Sequence, residues 1–267
     1  MKYLVSTITS LWNYRGFISG SVRREFQLKY RNSILGVAWT IVNPLALILV
    51  YTVIFSHVMK TKLPHAESGY SYSIYLCSGI LTWGLFADIC SKAQTVFIEN
   101  ANLIKKINFP RICLPVVVVI NSLINFLIIF SLFLVFLAAT GTFPGMPFVA
   151  LFPILLVQVL FSIGLGIALG VLNVFFRDVG HFFGVFLQFW FWMTPVVYPI
   201  SILPERFHWL FVINPLAAPI MAYQQIFVHS RWPDWAQLAP FCMIALLMCV
   251  YGISMFRKHA GEMVDEL

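Results

Sequence analysis

Six long apolar runs constrain the fold more than any other feature of the sequence. They cover about residues 34–59, 71–94, 112–139, 148–176, 181–200 and 237–256. A helix rises about 1.5 Å per residue, so about 20 apolar residues are enough to cross the hydrocarbon core of a membrane. Because 60% of the residues are hydrophobic and only 10% are charged, a soluble domain is excluded. The sequence therefore predicts an all-α integral membrane protein, in which residues 1–267 form a single transmembrane domain with six transmembrane helices.

The positive charges are distributed unevenly between the two sides of this six-helix arrangement. Thirteen of the 17 lysines and arginines fall on the side that holds both termini, and four fall on the other side. Segments rich in Lys and Arg stay in the cytoplasm, so both termini are predicted to be cytoplasmic. This topology also accounts for the net charge of +7, and no run of like charges is long enough to indicate a nucleic-acid partner.

The segment before the first run is basic and amphipathic. With about 100° per residue, a helix places one apolar arc along it, formed by Ile18, Val22, Phe26 and Tyr30. The cationic residues of the same segment are Arg23, Arg24, Lys29 and Arg31. This pattern predicts an amphipathic helix over 18–31 that lies in the membrane surface, where its cations meet the anionic lipid head groups.

The connection after the second run has a helical pattern of its own. Phe97, Ile104 and Ile107 recur at helical spacing, and the pattern stops at Phe109, before Pro110. We therefore expect a short cytoplasmic amphipathic helix over 96–108. The alternative is a polar loop in which the periodicity is incidental.

The last connection, over about 201–236, is too apolar for an ordinary external loop. It is also interrupted by Pro204, Pro215 and Pro219, which leave too little uninterrupted length for two further spans. Broken segments at membrane depth are tolerated only where protein or a cavity covers their backbone. The pattern predicts two short re-entrant helices on the external side within this connection.

Polar residues inside the runs have local explanations. Asp88 is followed four residues later by Lys92, so an ion pair on one helix face is favoured over a proton or ion site. Asn121 and Asn125 are also four apart and are expected to form hydrogen bonds between helices. Small residues at Ser162, Gly166 and Gly170 predict close helix packing.

Aromatic residues are concentrated on two of the predicted spans. The fifth run places Phe182, Phe186, Phe189 and Trp190 along or beside one face, and the first run offers Trp39, Tyr51 and Phe55. Packing in the core, in lipid or in the interfacial belts is one explanation, since 16% of the residues are aromatic. The other explanation is an aromatic-lined path, on which ring faces stack against the apolar C–H faces of sugars.

Motifs for catalysis and nucleotide binding are missing. The sequence has no GxxxxGK[ST], HExxH or GxSxG pattern, and its five cysteines have no metal-site spacing. We therefore expect no catalytic residue, metal or cofactor in this chain. Any energy source or catalytic centre has to lie in another polypeptide.

Four segments together resemble a known family, the permease subunit of bacterial ABC transporters that export polysaccharide. The segments are RREFQLKYRNSILGVAWTIVNPL at 23–45, NFPR at 108–111, FFRDVGHFF at 175–183, and TPVVYPISILP at 194–204 followed by INPL at 213–216. The resemblance implies a homodimer in the bacterial inner membrane, with two separate ATP-binding subunits that hold ATP and Mg. It also implies a polysaccharide substrate linked to a polyprenyl diphosphate lipid, with O-antigen as the expected polysaccharide.

The resemblance also implies roles for particular residues. The first and fifth spans line a channel, so the aromatic path becomes the favoured explanation for their aromatic residues. A surface helix before the first span matches 11–31. A coupling helix matches 96–108 and contains Glu99, Asn100, Leu103, Ile104, Lys105 and Lys106, and external gate helices match about 203–227 with Pro204, Pro215 and Pro219. The cations Arg23, Arg24, Lys29 and Arg31 receive either the lipid diphosphate or ordinary anionic lipid.

Two other function classes share parts of this pattern. A membrane-embedded transferase acting on polyprenyl-linked glycans has a basic rim and an apolar body. It also needs several acidic residues near that rim, and this sequence offers few candidates beyond Asp88 and Asp178. An ion-coupled secondary transporter needs several buried charges and repeated halves, which this sequence lacks.

Overall fold

The computed structural model describes residues 11–29, 70–106, 109–200 and 204–267, together with isolated positions between 38 and 53. Within these ranges the chain is helical and contains no β-strand, which confirms the all-α prediction there. The helices are α1 Arg15–Lys29, α2 Ser71–Glu99, α3 Ala101–Lys106, α4 Cys113–Ala139, α5 Leu151–Phe175, α6 Asp178–Trp192, α7 Trp209–Ile213, α8 Ala217–His229, α9 Trp235–His259 and α10 Glu262–Glu266. Two 3-10 segments, Met146–Ala150 and Glu205–Phe207, precede α5 and α7.

Four helical segments among the described residues are long and apolar enough to cross a membrane. They are α2, α4, α9 and the continuous segment Met146–Phe175 that contains α5. These helices coincide with the runs predicted at 71–94, 112–139, 148–176 and 237–256. Apart from the isolated positions, the first predicted span, 34–59, lies outside the described residues.

The fifth apolar run does not form one helix over 181–200. Its helix, α6, starts at Asp178 and ends at Trp192, so its 15 residues extend about 22 Å, short of a hydrocarbon core of about 30 Å. Pro195 has no N–H to continue the helix and disfavours helical backbone at Thr194. The Thr194 hydroxyl donates to the Trp190 carbonyl at 2.7 Å and so closes the last turn.

The proline-rich segment forms two helical pieces that meet at a sharp angle. Glu205–Ile213 and Ala217–His229 are bent by 105° at the break between them, a geometry found in a broken span or a re-entrant loop. Pro215 lies in this break and Pro204 precedes the first piece, as predicted. Pro219 does not break a helix, because it lies in the first turn of α8, where its missing N–H has no helical partner to lose.

The core is built around α2 and α5. Helix α2 packs against α4, α5 and α8, and α5 also packs along α9. The small residues Gly166 and Gly170 face Ala93 of α2, which confirms the close packing predicted from their spacing. A β-carbon added to Gly164 would lie 2.5 Å from the Cys249 backbone nitrogen, so the α5–α9 crossing has no room for one.

Helix α1 packs against the protein more closely than a helix that lies only in the membrane surface. Ile18 is buried, and Val22 packs against the same cluster, which includes Val117 of α4. Arg23 and Arg24 are exposed, as the amphipathic pattern predicted. Tyr30, Arg31 and the Lys29 side chain lie outside the described part of the structure.

The predicted helix over 96–108 is divided in two. Residues 96–99 form the last turn of α2, Asn100 is its C-cap, and α3 then covers only 101–106. The Asn100 amide donates to the Val96 carbonyl at 2.8 Å and satisfies one of the last carbonyls of α2, which explains the break. Ile107, the third member of the predicted apolar face, lies outside the described residues.

Helix α10 returns the C-terminal segment to this end of the molecule. It packs against α3 and α5, and its Met263 is buried in the cluster that also contains Phe97 and Ile104. The Arg111 guanidinium donates to the Ala260 carbonyl just before α10. The ends of α2, α3, α4 and α9 are therefore held together by one apolar cluster.

Candidate transport surface

Helix α6 presents an aromatic face that the described chain does not cover. It buries only Phe183 and Leu187, while Phe182 is 72% exposed and Phe189 is 66% exposed. Single exposed apolar side chains are ordinary, but a row of them on one helix marks a surface for lipid, protein or ligand. The sequence predicted this row correctly, since its members are one helical turn apart.

The aromatic rings of this face form a continuous series. The rings of Phe182 and Phe186 are stacked with centroids 6.4 Å apart, and the Phe186 and Trp190 centroids are 5.1 Å apart. Trp190 then meets Phe86 of α2 edge-on at 5.1 Å. Such pairs stabilise one another by about 1 kcal/mol beyond their buried area. The exposed end of the series is therefore supported by a ring in the core.

The other half of the predicted path lies on the first apolar run. Trp39 is exposed, as required of a residue that lines a path. Tyr51 and Phe55 lie outside the described residues. The role of this half stays a prediction.

Asn214 joins the end of α6 to the broken helical pair. Its Oδ1 accepts hydrogen bonds from Trp190 Nε1 at 2.9 Å and from the Leu216 backbone N–H at 3.1 Å. Its Nδ2 donates to Thr194 Oγ1 at 2.8 Å. A buried amide with all of these partners specifies one arrangement of the three segments that it contacts. This side chain also holds the Trp190 ring in place at the inner end of the aromatic series.

A second set of hydrogen bonds fixes the turn that follows α6. The Pro195 carbonyl accepts from Gln224 Nε2 at 2.9 Å and from the Tyr75 hydroxyl at 3.0 Å. The turn lies so close to α2 that a β-carbon on Gly79 would be 2.9 Å from the Val196 carbonyl oxygen. This short turn is buried at residues 194–196, and the carbonyls of Pro195, Val197 and Tyr198 each accept a hydrogen bond. Such partners are what a non-helical segment inside a membrane protein requires.

Asn173 fixes the other end of α6. Its Nδ2 donates to the Gln94 carbonyl of α2 at 2.9 Å, and its Oδ1 accepts from the Gly180 backbone N–H at 2.9 Å. Both ends of the aromatic helix are thus attached to the core through a buried asparagine. Sequence reasoning missed both asparagines, although Asn173 lies two residues before the FFRDVGHFF segment and Asn214 lies within the INPL segment.

The predicted coupling residues divide between a buried side and an exposed side. Ile104 is buried and Leu103 is partly buried, and both pack against the apolar cluster at this end. Glu99, Lys105 and Lys106 are exposed, and Asn100 caps α2. The two lysines lie in the last turn of α3, where the helix dipole favours positive charge. The segment is therefore anchored in the core and presents charges outward.

The predicted gate segment exposes large apolar side chains. Val212 is 86% exposed, and Trp209 and Ile213 are also exposed on α7. In contrast, Pro219 and most of α8 are buried against α2. The first piece of the bent pair is thus an apolar surface element, while the second piece belongs to the core.

The Asp88–Lys92 pair and the Asn121 hydrogen bond are present as predicted. Lys92 Nζ lies 2.9 Å from Asp88 Oδ2 on α2. Asn121 of α4 donates to the Glu25 carboxylate of α1, so it does bond across helices. The partner, Glu25, was not singled out in the sequence.

Comparisons with known proteins support the resemblance seen in the sequence. Residues 18–228 match the protein family described as ABC-2 type transporter. The O-antigen export system permease protein RfbA of Myxococcus xanthus is 30% identical over 267 residues, 99% of this chain and 100% of that protein. The RfbA protein of Klebsiella pneumoniae is 30% identical over 236 residues, 88% of each chain. The polysialic acid transport protein KpsM of Escherichia coli is 18% identical over 245 residues, 90% of this chain and 92% of that protein. These relatives favour neither the transferase nor the ion-coupled transporter.

Proposed function

The chain belongs to the ABC-2 type transporter family, and on that premise we propose that it is the permease of an ATP-driven exporter of bacterial polysaccharide. O-antigen, linked to a polyprenyl diphosphate lipid, is the proposed cargo. The relatives named for O-antigen export and for polysialic acid transport support the substrate class. We place the protein in the inner membrane with both termini in the cytoplasm, on the basis of the uneven distribution of Lys and Arg.

The observation that carries this proposal is the uncovered aromatic face of α6. In a homodimer, the faces of two copies and the first spans with Trp39, Tyr51 and Phe55 would enclose a path for the glycan. Aromatic ring faces bind the C–H faces of sugars without requiring a fixed hydroxyl pattern. Such a surface suits a polymer that has to slide, because no contact is specific enough to hold one sugar in place.

ATP would be bound and hydrolysed by two separate partner subunits. The segment from Glu99 to Lys106 is the proposed contact with them, since its apolar side is anchored in the core and its charges are exposed. Movement of this segment would be transmitted to α2, because only Asn100 separates α2 from α3. Helix α2 in turn contacts α6 and α8.

The bent pair of helices is the proposed external gate. The break at Pro215 separates an exposed apolar piece from a buried one, so the exposed piece is able to move with little loss of core contact. Asn214 lies at this break and is bonded to Trp190 of α6. A shift of the channel wall would therefore reach the gate through a direct hydrogen bond.

The basic residues of α1 have two proposed partners. Arg23 and Arg24 are exposed and, with Lys29 and Arg31, would meet either the diphosphate of the cargo lipid or the anionic head groups of the membrane. Arginine binds phosphate with two parallel hydrogen bonds, so both partners are chemically suitable.

The aromatic path is tested by removing exposed rings in matched pairs. The variant Phe182→Ala/Phe189→Ala removes two rings of the α6 face, and Phe143→Ala/Phe152→Ala removes two exposed rings elsewhere. Surface polysaccharide is measured in cells that depend on this exporter, with membrane levels of each variant checked by immunoblot. We expect the α6 variant to lose roughly thirtyfold in export, since each of the two ring contacts is worth about 1 kcal/mol. Normal export by that variant would refute the path.

A further inference from the structure

A cavity at the charged end of α2 has a composition that the export pathway does not explain. It lies between α1, α2, α3 and α4 and has a volume of about 320 Å³, within the range of small-ligand sites. Its apolar wall is formed by Leu114, Val117 and Val118 of α4. Its polar lining is formed by Ser21, Arg24, Glu25, Lys92, Glu99 and Asn100.

Two cations, Arg24 and Lys92, and two carboxylates, Glu25 and Glu99, line this cavity. Lys92 is already paired with Asp88 at 2.9 Å. In the part of the chain that the structure describes, Arg24, Glu25 and Glu99 form no ion pair. With Lys92 bound to Asp88, which lies outside the lining, one guanidinium shares the cavity with two carboxylates that have no ion-pair partner among the described residues. Of the two, Glu25 accepts a hydrogen bond from Asn121.

The pKa of Glu25 reflects the charges that surround it in the cavity. Its partial burial raises its pKa above the ordinary value, and the nearby carboxylates of Asp88 and Glu99 raise it further. Lys92 and the hydrogen bond from Asn121 act in the opposite direction and do not cancel the effect. A cation placed between Glu25 and Glu99 would relieve the repulsion.

A diphosphate is a poor match for these charges. It carries at least two negative charges and would meet two carboxylates in the same space, where like charges repel. Arg23, the other exposed arginine of α1, does not line the cavity. An anionic lipid with no cationic group meets the same difficulty.

We propose that this cavity binds the head group of a zwitterionic phospholipid with a primary ammonium, that is, a phosphatidylethanolamine. The ammonium lies between Glu25 and Glu99 and donates hydrogen bonds to their oxygens. The phosphate lies on Arg24, and the glycerol region packs on the apolar wall of α4. The lipid would thereby connect α1 to the ends of α2 and α4 at the membrane surface. This site does not depend on the proposed cargo.

The test measures lipid binding to the purified full-length chain by native mass spectrometry. Dioleoyl-phosphatidylethanolamine, dioleoyl-phosphatidylglycerol, dioleoyl-phosphatidylcholine and farnesyl diphosphate are titrated separately. We expect the ethanolamine lipid to bind about tenfold more tightly than the other three. Among these four, it alone has an ammonium N–H that donates a charge-assisted hydrogen bond to each carboxylate. The choline lipid separates the N–H donors from charge alone, since its methylated nitrogen has none.

Variants connect this preference to the cavity. Glu25→Gln/Glu99→Gln removes both carboxylates and should abolish the preference for ethanolamine, whereas Glu205→Gln/Glu262→Gln changes two acids outside the cavity and should keep it. If the first variant is not monodisperse, Arg24→Gln replaces it and should weaken binding of the ethanolamine lipid. Tighter binding of farnesyl diphosphate than of the ethanolamine lipid would overturn the proposal. So would an ethanolamine preference that survives loss of the carboxylates.

Discussion

The two ends of α2 use polar residues in opposite ways. Near Tyr75, uncharged side chains bind backbone carbonyls at 2.7–3.2 Å, with Asn214, Gln224 and Tyr75 all occupied. About 36 Å further along the helix, near Glu99, charged side chains surround an unfilled volume and two carboxylates lack an ion-pair partner among the described residues. Neutral amides with fixed partners specify one structure. Charged side chains around a cavity instead form a site that a ligand is able to occupy.

The largest effect in this comparison is expected from Asn214→Ala at the uncharged end. The change leaves Trp190 Nε1 and the Leu216 N–H without their acceptor in a buried site. Each such loss costs about 1–3 kcal/mol, so we expect a destabilisation of about 3 kcal/mol and a clear drop in the thermal midpoint of the purified protein. Asn102→Ala, at an exposed asparagine of α3, is the matched control and should change little. A midpoint equal to wild type for Asn214→Ala would show that these hydrogen bonds do not stabilise the fold.

An intermediate effect is expected where the turn after α6 meets α2. Gly79→Ala places a β-carbon 2.9 Å from both the Val196 carbonyl oxygen and Gln224 Nε2. Displacing the Val196 carbonyl and Gln224, whose Nε2 donates to the Pro195 carbonyl, should cost about 1–3 kcal/mol. Gly84→Ala, five residues further along α2, meets nothing within 4 Å and should be neutral or slightly stabilising, because alanine favours helix over glycine. Thermal midpoints of the two variants, measured side by side, test whether the close approach is essential.

The smallest effect is expected at the charged end, and it should depend on pH. Because the folded state raises the pKa of Glu25, that state binds its proton more tightly than the unfolded chain does. Wild type and Glu25→Gln should therefore be equally stable at low pH, and wild type should become the less stable of the two as pH rises through the raised pKa. Glu25 is partly exposed to water, so the difference should stay below about 1 kcal/mol.

Thermal midpoints of wild type and Glu25→Gln at pH 5 and pH 8, in detergent without added lipid, measure this difference. Glu205→Gln serves as the control at a carboxylate outside the cavity. A gap that is larger at pH 5 than at pH 8 would contradict the sign of the expected shift.

The sequence predicted best what depends on neighbouring residues. Spans such as α4 follow from the length of an apolar run, and the Asp88–Lys92 pair follows from four-residue spacing on one helix. The break at Pro215 was predicted for the same reason, since proline acts on its own backbone. Pro219 was misjudged because its effect depends on where the helix begins.

Features that depend on tertiary partners were missed. Nothing near Asn214 in the sequence indicates that it meets Trp190, 24 residues away, or that Asn173 meets Gln94, 79 residues away. The apolar arc of α1 was predicted correctly, but its packing partner α4 was not, because membrane and protein offer the same apolar environment. Glu25 was overlooked since an acid on a basic amphipathic helix looks like an ordinary surface residue until Asn121 and Glu99 are placed beside it.

The crossing of α5 and α9 limits how the molecule is able to move. At Gly164 the two backbones are in contact, with Met248 and Cys249 of α9 directly opposite and no side chain between them. Sliding either helix by one residue would drive a side chain into the other backbone. The two helices are therefore expected to move together as one rigid unit. Any conformational change of the protein therefore has to occur in the elements around this pair of helices.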